Sequence, residues 1–415
     1  DIDSEIYVDP PDGFPEYVGK VLKLMKALYG TKQASRMWQL KLRSKLIEMG
    51  FVNSPHDPCL FSLHKDRGRI IVGVYVDDIC VAHDGKLFDW FNREFTGPNG
   101  FRAKHVSKLN WFLGMEIDQK PDYSITISQK QYVQKMIERF VPAREASVVK
   151  HAMPCNPITF EKLTTATSEA ERDKAARLPY LELIGSLLYL STMTLPEISY
   201  HLSVLCSFMH DPSPDCYYAA IDLLLYVSHM YTDHTYTFTG SCAAPRGVDP
   251  ERHGTITSHG GLVAYSDSTW RRPDKLGYNA FGYVVYLYGA PVSFAAKRLK
   301  VVALSSAEAE YAASSYACRE IVFVRNVLAD LGFTISPPTV LAVDNQAAIR
   351  IAENLGVTSK TKHFSDAIHY IRDQVDRLVV QLTFVKTQFQ RADGFTKPLG
   401  KGPFRVWRDM LHLRQ

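Results

Sequence analysis

The chain has 415 residues, of which 46% are hydrophobic and 22% are charged, with 24 Gly and 22 Pro. This composition is typical of a globular protein and excludes a collagen, a coiled coil or an intrinsically disordered chain. The net charge of +4 hides an asymmetry, because residues 255–415 hold 20 Lys and Arg against 13 Asp and Glu. This basic part favours a polyanionic partner, although excess basic residues can also simply keep a protein soluble.

The 7 cysteines show no C-x-x-C spacing, which argues against a disulfide framework or a zinc site and suits a reducing compartment. The acidic N-terminus lacks the features of a signal peptide, and no apolar run is long enough to span a membrane. We therefore expect an intracellular protein without membrane contact. Because the chain does not begin with Met, we expect it to be a fragment.

The N-terminal third contains three segments with recognisable periodicity. Residues 22–50 are rich in Lys, Arg and Leu and predict an amphipathic helical region. Residues 69–82 form two apolar runs on either side of Asp77 and Asp78, which predicts two strands joined by a tight turn. Residues 124–140 predict a strand followed by a helix.

The pattern changes in the rest of the chain. Residues 141–180 mix prolines with a Thr-, Ala-, Glu- and Lys-rich stretch and predict a linker or an extended loop. Residues 181–231 have helical spacing, and residues 240–260 have loop composition. Strands then alternate with helices, which predicts a mixed α/β domain. The predicted strands are 261–266, 280–287, 290–295, 339–343 and 379–386, and the predicted helices are 306–331, 346–354 and 365–377.

Four acidic residues stand where carboxylates are costly without a function. Asp267 and Asp344 end apolar strands, Glu310 lies in the helix between them, and Asp393 follows the next strand. Residues 305–308 have a capping-box pattern, in which Glu308 caps the start of the helix. Glu310 has no such capping role. A surface or capping role is the usual explanation for a single such acid, but the ordered set of four favours a shared site. Converging carboxylates need cations, and oxygen ligands select Mg²⁺ or Mn²⁺, two of which can activate a water for phosphodiester cleavage.

The segments YSDSTW, SFAAKRLKVVALSSAEAEYAA, VDNQAAI, TKH and RADGFTKPL resemble, in this order, the ribonuclease H domain of copia-class LTR retrotransposon polyproteins. The resemblance implies that Asp267, Glu310, Asp344 and Asp393 bind two Mg²⁺ (or Mn²⁺) ions and cut the RNA strand of an RNA–DNA hybrid. It also implies that six residues hold hybrid phosphates, although a solvated basic face is an equally common explanation: Lys297, Arg298, Lys300, Lys360, Lys362 and His363.

A second resemblance covers the N-terminal part. The motif YVDD at 75–78 is weak alone, but EIYVDPPDGF, KALYGTKQASRMW, SPHDPCLF and WFLGMEI surround it and closely resemble copia-class reverse transcriptase. By this resemblance Asp77 and Asp78 are the palm carboxylates that bind catalytic Mg²⁺. Gly30, Gln33 and Arg36 then line the nucleotide and template site, whereas Phe112, Leu113 and Gly114 belong to the hairpin that grips the primer end. Plain core packing is an equally common explanation for Phe112 and Leu113.

The chain departs from these families in three places. Thr269 stands where a second acid is common, and residues 387–391 (TQFQR) lack the His that many ribonucleases H carry before the last Asp. The polymerase site also needs a third carboxylate. In the family this residue lies just upstream of the segment that resembles the N-terminus of this chain. Asp1 aligns with a non-catalytic Asp, so we expect an incomplete polymerase site and a more complete nuclease site.

The expected fold is α/β and α+β, multidomain. We predict a partial reverse transcriptase palm and fingers with an antiparallel sheet over 1–140, and a mainly helical thumb/connection with a linker over 141–254. A ribonuclease H-like mixed α/β domain is predicted over 255–400, followed by a tail over 401–415.

The expected function is RNA-directed DNA synthesis in the parent element together with cleavage of RNA in RNA–DNA hybrids. The alternative is an inactive nucleic-acid-binding remnant or a domesticated fragment. The expected partners are an RNA template, a DNA primer, the RNA–DNA hybrid and dNTPs, with protease and integrase products outside this chain. The expected location is the cytoplasm, a virus-like particle or the nucleus.

Overall fold

The computed structural model describes residues 4–28, 30–65, 68–84, 87–98, 100–103, 108–141, 153–230, 236–238, 261–270, 279–354 and 366–411. These residues form a mixed α/β protein with antiparallel sheets, as predicted at this coarse level. The chain divides into two compact units: unit 1 is Asp1–Lys108 with Asn326–Thr334, and unit 2 is Leu109–Arg325 with Ile335–Gln415. The four domains drawn from the sequence stay a prediction.

The strands and helices follow one another along the whole chain. The strands are β1 (Tyr7–Val8), β2 (Leu22–Lys23), β3 (Val52–Asn53), β4 (Leu60–Lys65), β5 (Gly68–Tyr75), β6 (Asp78–His83), β7 (Trp111–Phe112), β8 (Met115–Gln119), β9 (Ile125–Ser128), β10 (Tyr236–Phe238), β11 (Leu262–Ser268), β12 (Ala280–Leu287), β13 (Ala290–Arg298), β14 (Thr339–Val343) and β15 (Val380–Phe384). The helices are α1 (Lys32–Glu48), α2 (Leu87–Thr96), α3 (Lys130–Phe140), α4 (Pro157–Glu161), α5 (Glu169–Ala176), α6 (Tyr180–Met193), α7 (Ser199–Cys206), α8 (Pro214–Met230), α9 (Ser306–Asp330), α10 (Gln346–Glu353), α11 (Asp366–Asp376) and α12 (Lys401–Met410). None of these helices is long and apolar enough to cross a membrane.

Unit 1 contains an antiparallel sheet in the order β3-β4-β5-β6. Its core is formed by apolar side chains of α1, α2 and the sheet, among them Leu46, Ile70 and Phe91. The predicted helical region 22–50 is wrong in its first third, since β2 lies there and α1 begins at Lys32. The physical reason is local: Gly30 has φ +97°, which a helix does not allow, and Thr31 is extended at the N-cap.

The helical part of unit 2 is built from α3 and α6 to α8, which confirms the prediction for residues 181–231. Their buried side chains share one core with the five-stranded sheet and α12. The predicted loop over 141–180 is wrong in part, because α4 and α5 form within it. Asn156 caps α4 by accepting a hydrogen bond from Ile158 N, and Ser168 caps α5 by accepting one from Glu171 N. Pro157, one of the prolines that indicate a loop, is therefore a helix-start residue.

The C-terminal sheet has the strand order β13-β12-β11-β14-β15. β12 is antiparallel to both β11 and β13, whereas β11, β14 and β15 run parallel to one another. All predicted strands and helices of this region are present. The inner strand β12 is buried along nearly its whole length because elements cover both of its faces. Phe281 stacks on Tyr316 of α9, and Gly282 leaves room for Phe395 where a Cβ would lie 2.3 Å from its Cβ.

Candidate active site

Two acids meet where neighbouring strands end. Register pairs Tyr265 of β11 with Ala342 of the parallel strand β14, so two residues further on Asp267 lies beside Asp344. β11 has an antiparallel neighbour on one side and a parallel one on the other, and α/β sheets place their ligands outside strand ends at such a switch. Asp267 is buried and Asp344 is half-buried.

Helix α9 supplies the third acid. Its start is fixed by the predicted capping box, since Ser305 Oγ accepts from Glu308 N and Glu308 Oε2 accepts from Leu304 N. One turn into the helix, Glu310 is 5% exposed. Its Oε1 accepts hydrogen bonds from Ser268 N at 3.0 Å and Ser268 Oγ at 3.1 Å. Its Oε2 is buried and has no hydrogen-bond partner in the structure.

Asp267, Glu310 and Asp344 form a compact carboxylate cluster. One ligand oxygen from each lies within 4.8 Å of the others, and no other group of three or more His, Cys, Asp or Glu among the described residues meets this criterion. Burial raises the pKa of Asp267 to about 7; a hydrogen bond from Thr396 opposes this, and repulsion from Asp393 and Asp344 adds to it. Burial, followed by repulsion from Asp267 and Asp344, also raises the pKa of Glu310. A cation bound among these oxygens would remove the repulsion.

The fourth predicted acid, Asp393, lies next to this cluster but outside the group of three. It begins a short 3-10 helix, Asp393–Phe395, and forms an ion pair with Lys397. Burial raises the pKa of Asp393, the contact with Lys397 lowers it, and repulsion from Asp344 raises it again. Gln390 fixes the preceding loop, because its Nε2 donates to Ser266 O at 2.9 Å and its Oε1 accepts from Ala392 N at 3.1 Å.

Two residues near the cluster carry contacts that the sequence did not reveal. Thr396 Oγ1 donates to Asp267 Oδ2 and also lies 2.9 Å from the backbone O of Asp393, so this hydroxyl links the Asp267 carboxylate to the turn that carries Asp393. Lys397 pairs with Asp393, and the acids around it raise its pKa against the opposing effect of burial. Both residues lie in the segment RADGFTKPL, but their contacts with the acids become evident only when the structure places that segment beside β11.

The donor set fits a divalent metal ion. The oxygens come from carboxylates, they converge, and one buried oxygen of Glu310 has no partner of its own. Carboxylate oxygens are hard ligands of the kind that Mg²⁺ and Mn²⁺ prefer. Asp267, Glu310 and Asp344 are therefore the residues that could hold such an ion, with Asp393 close enough to act on the same site electrostatically.

The predicted phosphate-binding residues fall into two groups. Lys297 and Arg298 end β13, and Lys300 follows it; the two lysines are exposed and Arg298 is half-buried. Lys360, Lys362 and His363 lie outside the described residues.

In unit 1, Asp77 and Asp78 stand at the tip of the β5–β6 hairpin. Register pairs Tyr75 with Asp78, so Val76 and Asp77 form the predicted tight turn. Both acids are exposed, and within the described part of the chain no third acid, His or Cys joins them in a compact group. Trp38 Nε1 donates to Val76 O at 2.7 Å and so ties α1 to this turn.

The remaining predicted residues occupy the start of α1 and a second hairpin. Gly30 precedes the helix, Gln33 is half-buried in its first turn, and Arg36 is exposed. Register pairs Phe112 with Met115, which leaves Leu113 and Gly114 as a two-residue turn with φ +51° and +71°. Positive φ at both turn residues matches the right-handed twist of the strands. Phe112 and Leu113 are half-buried, and Tyr189 OH of α6 donates to Leu113 O.

Comparisons with known proteins agree with this inventory. The family described as reverse transcriptase (RNA-dependent DNA polymerase) matches residues 1–151. The retrovirus-related Pol polyprotein from transposon RE2 of Arabidopsis thaliana is 32% identical over 97% of this chain, which spans 26% of the length of that relative. The putative transposon Ty5-1 protein of Saccharomyces cerevisiae is 30% identical over 77% of this chain and 96% of its own length.

Similarity to solved structures is weak. The RNase H1 of the halophilic archaeon Halobacterium salinarum aligns with 32% of this chain and 93% of its own, at 20% identity and a TM-score of 0.22, which is too low to establish a common fold. The sequence relatives are sufficient by themselves. They show that the chain belongs to the copia-type Pol polyprotein family of retrotransposons.

Proposed function

We propose that Asp267, Glu310 and Asp344, with Asp393, form the metal-binding active site of a nuclease that cuts the RNA strand of RNA–DNA hybrids. The observation that carries the proposal is the convergence of three carboxylates within 4.8 Å, one of them with a buried oxygen that has no hydrogen-bond partner. Two bound Mg²⁺ or Mn²⁺ ions would supply an activated water and stabilise the leaving oxygen.

The residues of the chain prepare this site by fixing the carboxylates. Ser268 holds Glu310 Oε1 with two hydrogen bonds, while Oε2 is buried and has no hydrogen-bond partner among the described residues. Thr396 holds Asp267 in one orientation. Lys397 neutralises part of the charge of Asp393, which limits repulsion while the site is free of metal. A site fixed in this way loses little conformational freedom when it binds its ions.

Recognition of the hybrid is assigned to basic side chains. Two of these residues, Lys297 and Arg298, end β13, and Lys300 comes shortly after it. Their side chains supply positive charge for backbone phosphates. Lys360, Lys362 and His363 are proposed to extend this contact. The partners are an RNA–DNA hybrid and, in the longer polyprotein, the protease and integrase products of the same element.

The test is cleavage of a hybrid whose RNA strand carries a label at one end. With Mg²⁺, the chain is expected to shorten the RNA of the hybrid but not the same RNA alone or a DNA duplex. Asp344→Asn keeps the shape of the side chain but removes a ligand charge, so the rate should fall at least about 100-fold. Equal rates for the two proteins would refute the proposal.

A matched control separates loss of the site from loss of charge. Asp376 is exposed near the end of α11, away from the cluster of carboxylates in the described structure. Asp376→Asn makes the same chemical change and should leave cleavage unaltered. A similar loss in both variants would mean that net charge, not metal binding, controls the rate.

We also propose that Asp77 and Asp78 are palm carboxylates of a reverse transcriptase in the longer polyprotein. The match of residues 1–151 to the reverse transcriptase family and the link from Trp38 to the hairpin tip support this. The substrates would be an RNA template, a DNA primer and dNTPs. Among the described residues no third acid joins Asp77 and Asp78 in a compact group, so we expect primer extension to be undetectable with this chain. Absence of hybrid cleavage as well would favour the inactive nucleic-acid-binding remnant instead.

A further inference from the structure

A cleft of about 610 Å³ lies in unit 2 at the free edge of the C-terminal sheet. Ser203 and Ser207 belong to α7 or directly follow it, and Phe281 lies on β12. The rest of the wall comes from β13, the residues that follow it, and α9. The volume falls in the range of roughly 300–1,000 Å³ that small-molecule and cofactor sites occupy, so the cleft is large enough to receive part of an extended ligand.

The charge of the cleft selects an anion. Four cationic side chains line it against one carboxylate, that of Glu320. This carboxylate is already engaged, because it accepts hydrogen bonds from Ser293 Oγ at 2.7 Å and from Tyr283 OH at 3.4 Å. The positive charges come from separate elements and meet in one place: Lys297, Arg298, Lys300 and Arg319.

The aromatic residues of the cleft serve as its support. Tyr316 has the ring of Phe281 on one side, with centroids 4.5 Å apart, and the guanidinium of Arg319 lies 5.1 Å from its centroid. Phe281 and Tyr283 are buried, so the described rings of the cleft offer a base little surface to stack on. Ser207 Oγ already donates to Val204 O at 2.6 Å, which leaves the cations and the hydroxyl of Ser203. These groups suit phosphate oxygens rather than bases.

Strand register gives the distance from the cleft to the carboxylate cluster. Ser268, whose hydroxyl donates to Glu310, pairs with Phe281, and Phe281 pairs with Lys297. Two strand spacings separate Ser268 from Lys297, which is about 10 Å. A phosphodiester backbone that reaches the carboxylate cluster can therefore extend into the cleft.

We propose that this cleft is a second nucleic-acid site, which holds the phosphodiester backbone of the hybrid about 10 Å from the carboxylate cluster. Arg319 and the hydroxyl of Ser203 are new members of this contact. The inference rests on the proposed nuclease function of unit 2. It adds a site on α7 and α9 that keeps the hybrid in place while the acids act. Charged residues on an edge strand can also simply prevent aggregation, and the experiment separates the two roles.

The experiment measures binding of a labelled RNA–DNA hybrid in EDTA, where no metal-dependent cleavage occurs, over a range of salt concentrations. Each phosphate contact contributes roughly 0.9 to the slope of log K against log salt. The double variant Lys297→Gln/Arg319→Gln should therefore lower the slope by about two and weaken binding about tenfold at moderate salt. The exposed Lys297→Gln alone should lower the slope by about one, which covers the case in which Arg319→Gln disturbs folding.

The control removes two charges elsewhere in the same unit. Arg377 and Arg405 are exposed, and Arg377→Gln/Arg405→Gln makes an identical change in net charge. Equal losses in the control and the cleft variant, or an unchanged slope for Lys297→Gln, would overturn the proposal. So would displacement of the hybrid by polyglutamate as effectively as by unlabelled hybrid.

Because binding is measured without metal, the two proposals fail separately. A chain that binds with the predicted slope change but never cleaves would refute the nuclease and retain the cleft. If the chain cleaves the hybrid and its cleft variants bind like the wild type, the nuclease is retained and the cleft proposal is refuted.

Discussion

The two acidic sites of this chain use the same kind of side chain in opposite settings. Asp77 and Asp78 are neighbours in sequence, lie at the tip of one hairpin and are exposed. Asp267, Glu310 and Asp344 are far apart in sequence, come from two strand ends and a helix, and converge within 4.8 Å. Burial and mutual repulsion raise the pKa values of Asp267 and Glu310.

The difference shows what makes a carboxylate site ready for metal. Two adjacent acids on a hairpin can both stay in water, so their charges cost little and create little need for a cation. Acids that the fold buries together cannot escape one another, so a bound ion stabilises them strongly. By this argument unit 2 carries the site that is closer to complete, whereas the hairpin of unit 1 needs ligands from elsewhere.

The largest expected effect concerns hydrolysis of the hybrid. Glu310→Gln removes the charge whose oxygen has no hydrogen-bond partner, and the rate of RNA cleavage should fall at least about 100-fold. Asp78→Asn, on the exposed hairpin, should leave this rate within about twofold. Single-turnover cleavage at saturating protein measures both. A large loss with Asp78→Asn would mean that RNA cleavage depends on both acidic sites and that they do not act independently.

The next effect is on stability. Saturating Mg²⁺ should raise the free energy of unfolding by about 3 kcal/mol at a concentration near 100 times the dissociation constant. Glu310→Gln should be more stable than the wild type without metal, by about 1–3 kcal/mol, because one of the mutually repelling charges is gone. It should also lose the response to Mg²⁺. Chemical denaturation with and without metal gives both numbers; a stabilising effect of Mg²⁺ that survives in Glu310→Gln would contradict the assignment.

Burial without convergence provides a third case. Glu197 lies in the helical part of unit 2, in a short 3-10 helix, with both carboxylate oxygens buried. Burial raises its pKa from the usual 4.5 to about 7, although a hydrogen bond to its own backbone and then the charge of Arg408 partly oppose this. Since the folded-state pKa is the higher one, the contribution of Glu197 to stability is greatest below about pH 4.5 and is lost as the pH rises to about 7.

Glu197→Gln should remove that fall and raise the free energy of unfolding at pH 8 by about 3 kcal/mol. At pH 4.5 the variant and the wild type should be nearly equal. The stabilisation by Mg²⁺ should stay intact, because one buried acid without neighbouring carboxylates does not make a metal site. Urea titrations across this pH range measure the slope. Loss of the Mg²⁺ response in Glu197→Gln would show that burial alone explains the behaviour of the cluster.

Much of the secondary structure of this chain can be predicted from its sequence. The strands at 280–287 and 339–343 were predicted with the bounds observed for β12 and β14, because each is an apolar run that ends at turn residues. The secondary-structure prediction was wrong where residue types that are common in loops also begin helices. Asn156 and Ser168 begin helices in a stretch whose composition indicates a loop.

The acids of the candidate site were also predictable as a set, but not how they are held. Asp267 and Asp344 end apolar strands, a position that the sequence shows directly. The hydrogen bond from Thr396 to Asp267 joins residues 129 positions apart, and no local pattern encodes it. The same is true of the cleft, where Ser203 of α7 lies with residues of β13 although the two are far apart in sequence. Contacts of this kind depend on packing, which periodicity does not specify.

The smallest effect concerns the hairpin itself. Val76 has φ +51°, in the left-handed region that a β-branched residue rarely adopts, beside the two acids. Such a backbone costs about 1–3 kcal/mol, and Asn tolerates it better, so Val76→Asn should raise the free energy of unfolding of unit 1 by about 0.5–1 kcal/mol. Val52→Asn is the control: this exposed residue lies in β3, where Asn is unfavourable, so the variant should be slightly less stable. Equal effects of the two substitutions would mean that no strain is stored at the hairpin tip. If the predicted difference is found, both acidic sites hold unfavourable energy, as charge repulsion in the cluster and as backbone conformation in the hairpin.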